Sequence, residues 1–160
     1  MAGFHTKTFM IDDDYMTPKN AWENIQHLIP KDKIIWEAFY GDGKSGEILK
    51  SLGFEVIHKP VNFYDNDLGD IIISNPPFSD AKKILLRLKE LDKPFILIMP
   101  SSKICTSYIR DFFEKKKLQI IIPRKRIHFL KNNSETNKCN FDCFYYCYKM
   151  NLEKDIIWLN

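Results

Sequence analysis

The chain has 160 residues, 44% of them hydrophobic and 14% aromatic, which is enough apolar side chain for a single packed domain over 1–160 and excludes global disorder. With 24 Lys and Arg against 21 Asp and Glu, the formal charge of +3 permits a polyanionic partner without demanding one. No run approaches the roughly eighteen apolar residues of a membrane helix, and MAGFHTKTFM has no apolar signal core, so a cytoplasmic chain with no membrane partner is expected.

After a polar start, Thr17-Pro18 supplies an N-cap and a first-turn proline, and Trp22, Ile25, Leu28 and Ile29 follow at helical spacing, which predicts a helix from about 18 to 29. Lys33 to Tyr40 (KIIWEAFY) reads as a strand stopped by Gly41-Asp42-Gly43, and Ile48, Leu49 and Leu52 then mark a helix ended by Gly53. Phe54 to His58 is a second strand. Asp70 to Ser74 (DIIIS) is an uninterrupted apolar run of the kind a strand covered on both faces requires. Ala81 to Leu91 is helical, Pro94 to Pro100 is another buried strand, and Ser101 or Ser102 caps a helix running to about Lys117.

Leu118 to Pro123, Arg126 to Leu130, Phe141 to Met150 and Asp155 to Leu159 read as four further strands. Within the third of these, Cys143, Tyr145 and Cys147 share one face, and Phe144, Tyr146 and Tyr148 share the other, so both faces are expected to be buried. The order predicts an α/β fold: a mostly parallel sheet with an antiparallel C-terminal hairpin and helices on both faces. Cysteines at 105, 139, 143 and 147 show no CxxC spacing and are read as free packing thiols, with no metal site.

Three segments carry chemistry. Asn75-Pro76-Pro77-Phe78 directly follows the DIIIS strand, and in open α/β sheets ligands bind beyond the carboxyl ends of strands. The prolines fix the backbone and remove two donors, leaving the Asn side-chain oxygen and a proline carbonyl as acceptors suited to a substrate amino group, while Phe78 offers a face for a base. Glu37-Ala38-Phe39-Tyr40-Gly41-Asp42-Gly43 places a carboxylate and a glycine turn at the end of the first strand, a setting for an ammonium or for ribose hydroxyls. With Gly46 it spells G-x-G-x-x-G, but His58-Lys59 stands where a dinucleotide site needs an acid. Asp12 to Pro18 (DDDYMTP) precedes the first helix. Cations concentrate in the last third: Lys115 to Lys117, Arg124-Lys125-Arg126, Lys131 and Lys138.

The order DDDYMTP, EAFYGDG, NPPF resembles the class I S-adenosylmethionine-dependent methyltransferases, specifically adenine-N6 methylases, and the tail RKRIHFLKNNSETNKCNFDCFYYCYKM is similar to the terminal hairpin of phage-type DNA adenine methylases. The resemblance covers roughly residues 12 to 150 and implies a Rossmann-like class I fold with S-adenosylmethionine as cofactor. Tyr15, Thr17 and Pro18 would line the methionine end, with Glu37, Phe39, Gly41 and Gly43 as the main cradle. Asn62-Phe63 stands where the family has Asp-Phe at the cofactor's adenine. Asn75, Pro76, Pro77 and Phe78 would hold and stack a flipped target adenine, and Arg124, Lys125, Arg126 and Lys131 would meet phosphates.

DNA is the implied partner, in host cytoplasm or nucleus if the chain is viral. RNA adenine or a protein glutamine amide is the alternative acceptor, and a non-catalytic nucleic-acid-binding subunit the alternative role. No separate target-recognition domain is expected, so sequence selection would be minimal, built from short loops, or supplied by a second copy or a partner subunit.

Overall fold

The computed structural model describes residues 16–41, 43–131, 134–135 and 141–160. The elements run α1 (Lys19–Glu23), β1 (Ile34–Trp36), α2 (Lys44–Ser51), β2 (Glu55–Ile57), β3 (Ile71–Ser74), α3 (Ala81–Leu91), β4 (Phe95–Pro100), α4 (Ser107–Phe113) and β5 (Gln119–Ile122). They continue with β6 (Leu130–Lys131), β7 (Ser134–Glu135), β8 (Cys143–Tyr148) and β9 (Ile156–Trp158).

Seven strands form one sheet in the order β2-β1-β3-β4-β8-β5-β9, and β6 and β7 make a separate two-stranded ladder. All neighbours in the large sheet are parallel except at β8, which runs antiparallel to both β4 and β5. The antiparallel end expected from the sequence is therefore present, with β9 added in parallel outside β5.

Side-chain alternation divides the apolar residues between two layers. Ile35, Ile73, Ile96, Ile98, Tyr145 and Cys147 face a layer covered by Trp22, Ile25 and Leu49 of the first helical segments. Trp36, Ile72, Phe95, Leu97 and Tyr146 face the other, covered by Ile84, Leu85 and Leu88 of α3 and by Ile109 and Phe112 of α4. As expected, β8 is buried on both faces; Cys105, Cys143 and Cys147 form no disulfide among the described residues. Burial pushes the Cys147 thiol up to about 12.

Several boundaries differ from the sequence expectation for physical reasons. The first helix stops at Glu23 and resumes as a 3₁₀ turn over Gln26–Leu28, with Pro18 at the N-cap and Thr17 withdrawn from capping. The helix expected from Ser101 instead starts at Ser107, where Thr106 Oγ1 accepts from Ile109 N at 3.4 Å. Ser101 N is held by Asp142 O at 2.7 Å, and Tyr146 Oη donates to Pro100 O at 2.7 Å, so tertiary bonds keep Ser101–Cys105 as a 3₁₀ turn.

The strand expected over Arg126 to Leu130 forms only at Leu130–Lys131, paired with Ser134–Glu135. Ile127 and Phe129 alternate inward, but β5 already has β8 and β9 as neighbours, so no ladder position beside β5 is left for them. Among the described residues no helix is long and apolar enough to cross a membrane.

Candidate active site

From β1 the chain leads through α2 to β2 on one side and then crosses to β3 on the other. That reversal opens a crevice outside the carboxyl ends of β1 and β3, the place where open α/β sheets bind ligands. Glu37 directly follows β1 and Ser74 ends β3, and they meet there: Ser74 Oγ donates to Glu37 Oε1 at 2.7 Å. Phe39 N donates to the same oxygen at 2.9 Å, and the strand ends at Trp36, four residues earlier than its apolar pattern suggests. Glu37 is 2% exposed, and burial pushes its carboxyl up to about 8, against the pull of the Ser74 and Phe39 hydrogen bonds.

A cleft of about 340 Å³ opens here, near the lower end of the ~300–1,000 Å³ range of ligand sites. Glu37, Ala38, Phe39, Tyr40 and Gly41 form one wall. Asn75 and Pro77 form a second, and Met16, Thr17, Ser45 and Val61 complete the lining. Thr17 is 4% exposed, and its Oγ1 has no hydrogen-bond partner among the described residues. An orphaned buried hydroxyl beside a carboxylate is a polar site that awaits a ligand group.

The glycine turn shapes the rim. Gly41 and Gly43 have φ of +57° and +82°, the left-handed region that favours glycine. A Cβ on Gly43 would also lie 2.9 Å from Tyr40 Oη, so its absence lets Tyr40 fold across the turn. The Tyr40 ring stacks on His58 at 5.9 Å, and His58 presents an imidazole where a dinucleotide site needs an acid.

In the NPPF segment, Asn75 and Pro77 reach the cleft, while Pro76 is buried behind them. Phe78 opens the 3₁₀ turn Phe78–Asp80, and its half-buried ring meets those of Phe129 and Phe141 near right angles at 6.0 Å each. It stands beside the cleft and does not line it.

Other predicted residues are dispersed. Tyr15 lies outside the described residues. Pro18 caps α1 beside Thr17 and does not line the cleft. Asn62 is exposed and spends its Oδ1 on Tyr64 N at 2.7 Å, while Phe63 is buried against Trp36 and Phe39, so Val61 is the residue of that loop on the cleft.

Arg124 and Lys125 are exposed just beyond the carboxyl end of β5, at the same end of the sheet as the cleft. Arg126 instead forms a two-pronged pair with Asp142, Nε to Oδ1 at 2.8 Å and Nη2 to Oδ2 at 3.1 Å, and holds the Asp142 carboxyl below the usual carboxylate range. The backbone of Lys131 belongs to β6. Among the described residues no cluster of His, Cys, Asp and Glu is placed to hold a metal ion.

The sequence matches no protein-family model and no curated protein. Among solved structures, a candidate RNA methyltransferase of Pyrococcus horikoshii is similar with a TM-score of 0.51 and 20% identity, covering 84% of this chain and 87% of that one. A candidate class I S-adenosylmethionine-dependent methyltransferase of Listeria monocytogenes gives a TM-score of 0.53 at 14% identity, covering 91% of this chain and 65% of that one.

The fold is that of the class I methyltransferases. Within this methyltransferase fold, sequence reasoning found Thr17, Glu37, Phe39, Gly41, Asn75 and Pro77 of the cleft, and missed Met16, Ala38, Tyr40, Ser45, Val61 and the Ser74 bond to Glu37. Ser74 read only as the end of an apolar run, and nothing short of strand order would have placed it beside Glu37.

The sequence resemblance implies S-adenosylmethionine, and the residues would fit it: a buried carboxyl for a cationic group, a buried hydroxyl at Thr17, and a glycine turn open to close approach.

Proposed function

We propose that the chain is an S-adenosylmethionine-dependent methyltransferase acting on the N6 amine of adenine in DNA. The observation that carries this reading is that Asn75 and Pro77 share one cleft with Glu37 and Thr17, so an amine held by the NPPF segment lies next to a cofactor held by the glycine turn. Glu37, Thr17 and Gly41 would hold the cofactor, which supplies the methyl group as an activated sulfonium substituent.

The protein's part is orientation. The Asn75 amide oxygen and the Pro76 carbonyl are the acceptors that the segment offers to an amine, and an amine that donates both hydrogens keeps its lone pair available for in-line attack. Taking an adenine out of a duplex costs a few kcal/mol, and stacking on Phe78 would offset about 1 to 3 kcal/mol of it. Exposed Arg124 and Lys125, at the same end of the sheet, suit phosphates flanking the extruded base.

The test is transfer of labelled methyl to DNA and to RNA, followed by digestion to nucleosides and mass analysis. N6-methyl-2′-deoxyadenosine from DNA is the expected product. Label confined to RNA would move the substrate, and label on protein or on no acceptor would overturn the reading.

A further inference from the structure

Ser74 is fully buried, and its hydroxyl crosses from the end of β3 to the end of β1. A buried serine in an otherwise apolar strand loses hydration and packs less well than an aliphatic residue, so its hydroxyl calls for a reason. That reason is Glu37. We propose that Ser74 is a positioning residue of the cofactor cleft, whose hydroxyl, 2.7 Å from Glu37 Oε1, fixes that carboxylate on the cleft wall and favours its ionised form for a cationic group of the ligand. The inference rests on the cofactor reading above and names the device by which the site takes a cation.

Both described hydrogen bonds to Glu37, from Ser74 Oγ and Phe39 N, converge on Oε1, which leaves Oε2 to meet the ligand. Donors on one oxygen also fix the plane of the carboxylate, so the second oxygen points in one direction in place of several. The forces on the group are few. Burial opposes the charge, and the Ser74 hydroxyl and Phe39 N–H support it. Among the described residues no lysine, arginine, histidine or acid from β1, β2, β3 or the neighbouring turns adds to them. In the free protein the carboxyl therefore titrates near 8, and a cation that binds against it drives a proton off.

Two consequences separate this role from packing. Below about pH 8 the affinity for a cationic ligand rises with pH, up to about tenfold per pH unit, because only the ionised fraction of Glu37 binds. Removing the hydroxyl leaves Phe39 N as the one described donor. The ionised form then becomes harder to reach, and the whole profile moves to higher pH, by about one to two pH units for one lost hydrogen bond to a charged group.

The experiment compares the wild-type chain with Ser74→Ala and Ser74→Thr. In the free protein, nuclear magnetic resonance of ¹³C-labelled glutamate carboxyls follows Glu37, identified by the signal missing in Glu37→Gln. In parallel, S-adenosylmethionine is titrated calorimetrically from pH 6 to 9.5. Ser74→Ala should raise the Glu37 midpoint by about one pH unit or more and weaken cofactor binding about tenfold at pH 7, with the loss shrinking toward pH 9.5. Ser74→Thr, which keeps the hydroxyl, should restore both.

An unmoved midpoint, or an affinity loss equal at every pH, would overturn the proposal. Absence of cofactor binding by the wild type at every pH would instead overturn the cofactor reading, and the free-protein titration would still decide whether Ser74 favours the ionised form of Glu37.

Discussion

Gly46 of α2 lies directly against His58 at the end of β2: a Cβ added to the glycine would stand 2.3 Å from His58 Cγ and 2.6 Å from its Cβ. Helix and strand can approach this closely only because position 46 carries no side chain. The near end of a histidine cannot swing aside, so the packing is fixed by backbone. Since His58 also stacks on Tyr40 of the cleft wall, this contact sets where the wall stands.

Gly46→Ala should therefore destabilise the protein by about 1 to 3 kcal/mol through overpacking, despite the better intrinsic helix propensity of alanine. Adding His58→Ala should recover a large part of that loss. A double-mutant cycle by denaturant unfolding checks it, and additive losses would show that the two residues do not share the strain.

The buried acid predicts a pH dependence of stability in the absence of ligand. The Glu37 carboxyl titrates higher in the folded chain than in the unfolded one, so the folded state favours its protonated form. The associated stability is present below about pH 4.5 and is lost as pH rises to about 8. Glu37→Gln keeps an oxygen for Ser74 and Phe39 and cannot ionise. Its Tm should pull ahead of wild type by at least about 5 °C between pH 5 and pH 9. Equal pH profiles in differential scanning calorimetry would mean that Glu37 is not desolvated. The same substitution should cost most of the affinity for S-adenosylmethionine.

In the NPPF segment, binding and transfer should separate. Asn75→Ala should abolish methyl transfer and leave cofactor affinity within a few-fold, because the lost acceptor serves the target amine. Wild-type transfer rates from a variant with normal cofactor binding would remove Asn75 from the mechanism.

Phe78→Ala should lower kcat/KM by an amount equivalent to about 1 to 3 kcal/mol, the worth of one stacked base. Phe141→Ala removes one of the two rings that brace Phe78 and should give a smaller loss in the same direction. If either variant weakens cofactor binding as much as transfer, the aromatic group is packing and not a platform for a base.

The basic residues near the cleft should divide by their partners. Arg124→Ala and Lys125→Ala should each reduce the slope of log affinity for nucleic acid against log salt by about one. Arg126 is already neutralised by Asp142, an exposed pair, and Arg126→Ala should change the slope less than either. Equal effects at all three positions would show that the pair with Asp142 opens when nucleic acid binds.

Local physics was legible in the letters of the chain. Period-two alternation in Cys143 to Tyr148 and the apolar runs at Ile71 to Ser74 and Phe95 to Pro100 determined which faces are buried, since a strand must send alternate side chains to opposite layers. Ala81–Leu91 was visible from its helical period, and its end falls at Asp92 in the left-handed conformation with no glycine to announce it. The address of Glu37, Asn75 and Pro77 followed from strand ends and turn residues.

Long-range relationships were not legible, because they depend on which strands become neighbours. Strand order alone put Ser74 beside Glu37, withdrew Thr17 from its helix cap into the cleft, turned Phe63 into the core and left Val61 on the surface of the site. It also left Arg126 to Leu130 without a place in the large sheet. A sequence fixes the face a side chain takes within its own element, since that is set by backbone geometry over a few residues; which groups share a desolvated cleft, and so which carboxyl is pushed up to about 8, is decided only when distant elements pack.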